Sequence, residues 1–240
     1  VDDPRGQLNY GRLLSAGNGV KRSSLQASYY LRLASQSFDK YPDIALEALL
    51  MLGSTYEEMG EYKKALDSYE EAMKRGSAVG QTNYAKLLGD ESIPDIQHDL
   101  TKSLSLLNEL ADKKDGFALC TLGKLYMEGK NGVSKDEKKG IELLHESADL
   151  DCPEGQYEYG NCLLNGIGIE KDYKSARSYI EKSSSKNNLD AYYALARIYK
   201  EGLGVKKDFS TAVTLLESAA TSGLIRAGYQ AGMYYLDKEK

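Results

Sequence analysis

Cysteine, histidine and long apolar runs are all scarce in this chain of 240 residues, and each scarcity excludes a class of protein. Three cysteines are too few, and an odd number, for a disulfide framework, so we expect a cytosolic protein. A lumenal or secreted location stays open, because we expect the natural N-terminus to be missing from this chain. No apolar run approaches the ~20 residues that span a bilayer, so no membrane insertion is expected. Neither of the two histidines has a cysteine or histidine at ligand spacing, which argues against a metal site.

A strong charge of either sign is also missing. The 31 basic and 36 acidic residues give a net charge of −5, so we expect no nucleic-acid partner. The glycine-rich stretches lack the G-x-x-x-x-G-K-[ST] pattern and the third glycine of a dinucleotide fingerprint, so no phosphate-bearing cofactor is expected. The carboxylates form no recognisable acid–base constellation, and we assign no catalytic residue.

The chain does contain a repeated segment. One copy, at 132–151, reads GVSKDEKKGIELLHESADLD, the next, at 168–187, reads GIEKDYKSARSYIEKSSSKN, and the third, at 204–223, reads GVKKDFSTAVTLLESAATSG. The three copies start at intervals of 36 residues. A fixed period of this length is the signature of a protein built from stacked structural repeats.

Each repeat contains two segments in which a small residue has apolar neighbours at helical spacing. Because small residues let two helices approach closely, each repeat is predicted to be a helical hairpin that buries its apolar stripe by stacking on its neighbours. The spacing from a second helix to the next first helix is 26 residues once and then 20 throughout. The small residues are Gly11, Gly53, Ala85, Gly123, Gly160, Ala196 and Gly232 in first helices, and Ala27, Ala65, Ser103, Gly140, Ala176 and Ala212 in second helices.

Glycine pairs mark the loops inside four of the hairpins, as in GIGI at 166–169. Glycine adopts the left-handed conformation that ends many helices. Asp136, Asp172 and Asp208 each stand four residues before a second-helix small residue, so we expect them to cap those helices. The second hairpin has no such loop, and the third has GDESIPDIQHD in its place.

The segment LGKLYMEGKNGVSKDEKKGIELLHESAD and its copies resemble the Sel1-like repeat family, a relative of the tetratricopeptide repeat. The second hairpin, with MGEYKKALDSYEEAM, resembles a plain tetratricopeptide repeat instead. The resemblance implies an all-α, right-handed α/α superhelical solenoid that holds protein partners. It implies no single enzymatic activity.

We predict a single repeat array over residues 1–240, with about thirteen helices. Because the opening VDDPRGQL lacks methionine, we expect the array to be part of a longer chain. The predicted hairpins cover roughly residues 5–37, 42–76, 78–114, 116–150, 153–187 and 189–223, and an extra helix covers 225–236.

The first helices are expected to line the concave side of the array. Two rows should be exposed there, one residue after and three residues before each small residue, because these positions lie about 40° apart on a helix. Neither row contains an acidic residue, so the groove should suit a peptide with acidic side chains or a terminal carboxylate. The predicted partner-binding residues are Arg12, Lys86, Lys124, Arg197, Asn161, Tyr157, Tyr193 and Tyr229.

Other interpretations stay open. In one alternative, the tyrosines serve only to pack between adjacent first helices and the basic residues are solvated without binding a partner. The chain could instead be a regulatory subunit of a membrane-bound complex, such as a ubiquitin ligase or a synthase activator, which docks by its convex face or its ends. A hydrolase would need a catalytic cluster that the sequence does not show, and single-stranded nucleic acid would need net positive charge. The oligomeric state is not predicted.

Overall fold

The computed structural model describes residues 3–222 and 225–238, and within these ranges it contains thirteen α-helices and no strand. The predicted all-α fold is therefore confirmed. The first helices of the hairpins are α1 (Pro4–Ala16), α3 (Pro42–Glu58), α5 (Ala78–Gly89), α7 (Gly116–Glu128), α9 (Pro153–Asn165) and α11 (Leu189–Glu201). The second helices are α2 (Ser24–Ser35), α4 (Tyr62–Lys74), α6 (Leu100–Asp112), α8 (Glu137–Asp149), α10 (Tyr173–Ser185) and α12 (Phe209–Thr221), and α13 (Ile225–Lys238) follows them.

The repeated aspartates start the second helices, as predicted. The carboxylate of Asp136 accepts a hydrogen bond from the backbone N–H of Lys139, and Asp208 accepts one from Thr211. Asp99 does the same for α6, so the irregular loop of the third hairpin keeps the cap although it loses the glycine pair. These bonds satisfy backbone donors that a helix start otherwise leaves unpaired.

Glycine ends the first helix wherever the loop carries a glycine pair. Gly166 follows α9 with φ 70° and donates its N–H to the carbonyl of Cys162, and Gly202 follows α11 with φ 72°. A side chain is disfavoured in this left-handed conformation. The loops that open with Gly166 and Gly202 then lead to the aspartates that cap the second helices, whereas the loop of the first hairpin leads to a serine cap, Ser23.

The two helices of a hairpin touch at the predicted small residues. A Cβ on Gly123 would lie 2.8 Å from Cγ of Leu144, and a Cβ on Gly160 would lie 2.7 Å from Cγ1 of Ile180. Leu144 and Ile180 each stand four residues after the small residue of the second helix and are buried. The large side chain of one helix thus fills the space that glycine leaves on the other.

A second set of small residues, which the sequence analysis did not select, brings consecutive hairpins together. It lies five residues before the first-helix small residue. A Cβ on Gly80 of α5 would lie 2.7 Å from Cβ of Ala72 on α4, and a Cβ on Gly155 of α9 would lie 2.6 Å from Cβ of Ser147 on α8. Small residues therefore allow close helix contact both within a hairpin and between consecutive hairpins.

The helices form two compact units, residues 1–113 and 114–240. In each unit consecutive helices pack against one another, and first helices also lie side by side, α1 with α3 and α7 with α9. Several apolar clusters, rather than one central core, fill the layers between the helices. This arrangement is typical of a linear stack of repeats.

The aspartate caps predict a loss of stability in acid. Hydrogen bonds from Ser175 and Thr211 lower the pKa of Asp172 and Asp208. A carboxylate whose pKa falls on folding stabilises the protein above its unfolded pKa of about 3.9, and that contribution disappears as the pH falls through the lower folded pKa. We expect the double variant Asp172→Asn/Asp208→Asn, which keeps a capping oxygen, to show a smaller fall in Tm between about pH 5 and about pH 2.5. Equal falls in the variant and the wild type would contradict this account.

Candidate protein-binding surface

In each of the six hairpins the position directly after the first-helix small residue holds a polar residue, and we call these six residues the first-helix row; the same position on α13 holds Met233. Arg12, Ser54, Lys86 and Lys124 are exposed, and Asn161 and Arg197 are half-buried. The first three belong to the unit 1–113 and the other three to the unit 114–240. Each member has side-chain surface open to solvent, so half of the predicted exposed stripe is present.

The other row of that stripe is only partly exposed. Leu8, Thr82 and Cys120, three residues before the small residue, are buried, and at these positions the expectation of an exposed row was wrong. The remaining positions of this row are half-buried or exposed, namely Leu50, Tyr157, Tyr193 and Tyr229. The reason is visible in α7 and α9, where Cys120 shares an apolar cluster with Leu163 of the neighbouring first helix. The two rows are about 40° apart on the helix, and contact between first helices covers the row nearer to the neighbour.

The three tyrosines assigned to binding differ in exposure. Tyr157 and Tyr193 are half-buried and pack against the apolar clusters of the unit 114–240. Tyr229 on α13 is 72% exposed. The structure therefore does not contain the expected ladder of three exposed rings. It contains two rings that mainly pack and one that is open to solvent.

Two cations of the first-helix row are paired with a carboxylate on the next first helix. Arg12 on α1 pairs with Glu47 on α3, and Nζ of Lys124 on α7 lies 2.6 Å from Oε1 of Glu158 on α9. Partial burial acts to lower the pKa of Lys124, but the Glu158 carboxylate outweighs it and the pKa of Lys124 is raised. The surface that the sequence predicted to be basic is thus partly neutralised.

A residue that the sequence analysis did not select connects Asn161 and Arg197. Nη2 of Arg197 on α11 donates to Oδ1 of Asn165 at 2.8 Å, and Nδ2 of Asn165 donates to Oδ1 of Asn161 at 2.7 Å. The network joins two consecutive first helices. In the part of the chain that the structure describes, the amide nitrogen of Asn161 has no hydrogen-bond partner, so it is available to a bound chain.

The paired carboxylates do carry a signal in the sequence. Glu47 follows Arg12 by 35 residues, and Glu158 follows Lys124 by 34. These intervals are close to one repeat, and a residue one repeat further on lies on the adjacent equivalent helix. Opposite charges about one repeat apart would have pointed to these pairs.

The thiols are poorly suited to nucleophilic chemistry. All three cysteines are free and buried. Burial raises the pKa of Cys120 and Cys152, and it raises the pKa of Cys162 to about 11. The thiolate, which is the reactive form, is therefore scarce at neutral pH.

The histidines make local contacts. The ring of His145 lies 4.6 Å from that of Tyr159, and Nε2 of His98 lies 3.0 Å from the carbonyl oxygen of Ile93. Across residues 3–222 and 225–238, no group of three or more His, Cys, Asp or Glu side chains could hold a metal ion. None of the helices described above is long and apolar enough to cross a membrane.

Four segments match the family model described as the Sel1 repeat, namely residues 4–37, 117–152, 153–188 and 189–224, which together exceed half of the chain. The chain belongs to the Sel1 repeat family. A tetratricopeptide repeat model matches residues 48–78, in agreement with the resemblance of the second hairpin. Proteins built from Sel1 repeats generally act as scaffolds for protein–protein interaction.

Solved structures of other Sel1 repeat proteins have the same fold. A Sel1 repeat protein from Oxalobacter formigenes is 25% identical, with a TM-score of 0.60, over 91% of this chain and 85% of that chain. A protective antigen from uropathogenic Escherichia coli with an SLR fold is 24% identical, with a TM-score of 0.59, over 98% of this chain. This chain covers 50% of that antigen. No curated protein matches the chain significantly.

Proposed function

We propose that this Sel1 repeat chain is a non-catalytic adaptor that binds a protein or peptide partner along the first-helix row. One observation carries the proposal. Six consecutive hairpins place a polar, never acidic, residue at the same exposed or half-exposed position. A partner with acidic side chains or a terminal carboxylate fits this row, because arginine and lysine form charge-assisted hydrogen bonds with carboxylates. A cytosolic location stays a prediction.

The ion pairs beside the row are compatible with partner binding. Both side chains of the Arg12–Glu47 pair are 51% exposed, and exposed pairs of this kind contribute only about 0–1 kcal/mol. A carboxylate of the partner can therefore replace Glu47 at little cost. The cation it meets is already held in position.

The unit 114–240 offers the richest set of contacts. Lys124 and Arg197 provide charge on either side of Asn161, whose amide nitrogen can donate to a backbone carbonyl of an extended peptide. The partly exposed rings of Tyr157 and Tyr193 and the exposed ring of Tyr229 add contact area with few rotatable bonds.

Affinity capture from a cell extract, quantified by mass spectrometry, tests the proposal. The test variant carries Arg12→Glu, Lys86→Glu, Lys124→Glu and Arg197→Glu. The control carries the same charge change at four exposed lysines outside the first helices, Lys63, Lys138, Lys174 and Lys206. We expect specific partners to be lost by the test variant and retained by the control. Retention of every partner by both folded variants would show that the first-helix row is not the site.

The Glu158→Gln substitution is expected to have the opposite effect on partner affinity. It removes the carboxylate that competes for Lys124 and keeps a side chain of similar size. We expect a purified partner to bind the variant more tightly than the wild type, by up to about fivefold, which corresponds to about 1 kcal/mol. Calorimetric titration measures the difference. Weaker binding would mean that Glu158 itself contacts the partner.

A further inference from the structure

The second helix of the first hairpin departs from the repeat pattern at two solvent-facing positions. These positions lie two residues before and two residues after the second-helix small residue, and they are exposed in all six second helices. In α2 they hold Leu25 and Tyr29, which are 72% and 51% exposed. In the other five helices they hold polar residues, Lys63 and Asp67, Thr101 and Ser105, Lys138 and Glu142, Lys174 and Ser178, and Ser210 and Thr214.

In later hairpins, the glycine-rich loop covers part of the preceding second helix. A Cβ on Gly168 would lie 3.2 Å from Cγ1 of Ile141 on α8, and a Cβ on Gly204 would lie 2.7 Å from Cβ of Tyr173 on α10. The covering segment is not helical and has an aliphatic residue on either side of the glycine. Three of these aliphatic side chains pack against the adjacent apolar cluster, Ile169, Leu203 and Val205.

The second hairpin has no loop to cover α2 in this way. Its first helix ends at Glu58 and its second helix begins at Tyr62. A groove of about 460 Å³ lies between α2 and this short turn. Its apolar lining consists of Leu25, Tyr29, Tyr30, Tyr56 and Met59. We call it the α2 groove, and all of it belongs to the unit 1–113.

The α2 groove also carries an unpaired positive charge. Arg32 lines it, and among the residues that the structure describes, its guanidinium has no hydrogen-bond or ion-pair partner. Lys64 lines it too, but Lys64 is paired with Glu61. The position of Arg32, five residues after the small residue, holds no arginine or lysine in the other second helices, where it is Glu70, Asn108, His145, Glu181 and Glu217.

We propose that the α2 groove binds a non-helical segment of a partner protein, in which two aliphatic residues flank a glycine and an acidic residue follows. The aliphatic side chains would lie against α2 where the loops of later hairpins lie against α8 and α10. From there they would also contact Leu25 and Tyr29, whose equivalents on α8 and α10 stay exposed. The carboxylate would pair with Arg32. The proposal rests on the scaffold function and adds a second site, separate from the first-helix row.

A peptide from the chain itself is a suitable probe. Residues 164–172, LNGIGIEKD, contain the aliphatic–glycine–aliphatic pattern followed by Glu170. Fluorescence anisotropy with the labelled peptide should show saturable binding to the wild type. We expect at least about tenfold weaker binding to Leu25→Ser/Tyr29→Ser and to Arg32→Glu. A peptide with serine at both isoleucine positions should bind as weakly to the wild type.

The controls separate folding, self-association and the first-helix row. Because Leu25 and Tyr29 are exposed, their variant should keep the wild-type Tm, and Lys138→Ser/Glu142→Ser on α8 should bind the peptide as the wild type does. The variant with four glutamates in the first-helix row should also bind the peptide as the wild type does. If that variant loses partners in affinity capture, the loss then concerns the first-helix row and not the α2 groove. Equal binding by the wild type and the α2 variants, or no binding, would overturn the proposal. So would sedimentation showing a dimer that the α2 substitutions dissociate, because the occupant would then be a second copy.

Discussion

Gly123→Leu is expected to destabilise the protein by at least about 1–3 kcal/mol, the usual effect of forcing a large side chain into a packed interior. Even the first carbon of the new side chain would lie 2.8 Å from Cγ of Leu144 and 3.0 Å from the carbonyl oxygen of Gly140. The carbonyl belongs to the backbone of α8 and cannot rotate away. The helices α7 and α8 would have to separate, and denaturant unfolding followed by circular dichroism measures the loss.

Gly232 provides a matched control, because it has the same place in the repeat on α13. Among the residues that the structure describes, nothing lies within 4 Å of a Cβ on Gly232. Glycine in a helix interior is less favourable than alanine by about 0.5–1 kcal/mol, so Gly232→Ala should be neutral or stabilising. Gly123→Ala should be destabilising. The same effect at both positions would contradict the close contact of α7 with α8.

Ile180→Ala is expected to destabilise the protein by about 2–5 kcal/mol, because it opens a cavity where a fully buried side chain now fills the space beside Gly160. Gly160→Ala alone should also destabilise, since its Cβ would lie 2.7 Å from Cγ1 of Ile180. In the double variant the added methyl group enters space that the isoleucine has left. The combined loss should therefore be smaller than the two single losses together.

A double-mutant cycle in denaturant measures this compensation. We expect a coupling of about 0.5–3 kcal/mol, as is typical of residues in direct contact. Additivity within about 0.5 kcal/mol would show that the two side chains do not share one space.

The hairpins were predictable because each depends on local signals that recur. The aspartate before four of the six second helices, the left-handed glycine after Asn165 or Glu201, and the pairing of a small residue with a large one all repeat along the chain. Each signal acts within a few residues or within one hairpin. Agreement between several copies then identified the pattern.

The surface was harder to predict because exposure depends on how neighbouring hairpins pack. Cys120 and Lys124 lie on nearly the same side of α7, yet one is buried and the other exposed. Helical periodicity does not show which of two adjacent rows a neighbouring helix covers. The pairing of Lys124 with Glu158 and the bridge through Asn165 also form between hairpins, so single-helix patterns did not reveal them.

Departures from the repeat pattern indicate where the surface of the array differs from one hairpin to the next. The short turn of the second hairpin is visible in the sequence, and so is the contrast between Leu25 and the polar residues that replace it in other second helices. The structure was needed to show that the missing loop leaves a groove at that place. The irregular turn and the groove beside it are therefore two parts of one local feature of the array.

Hydrogen exchange on the complex with a captured partner tests most directly whether the first helices bind protein. The account predicts that backbone amides of α7, α9 and α11 exchange more slowly in the complex than in the free chain, whereas those of α8 and α10 do not change. Slower exchange confined to the second helices would contradict the assignment of the first-helix row as the binding surface.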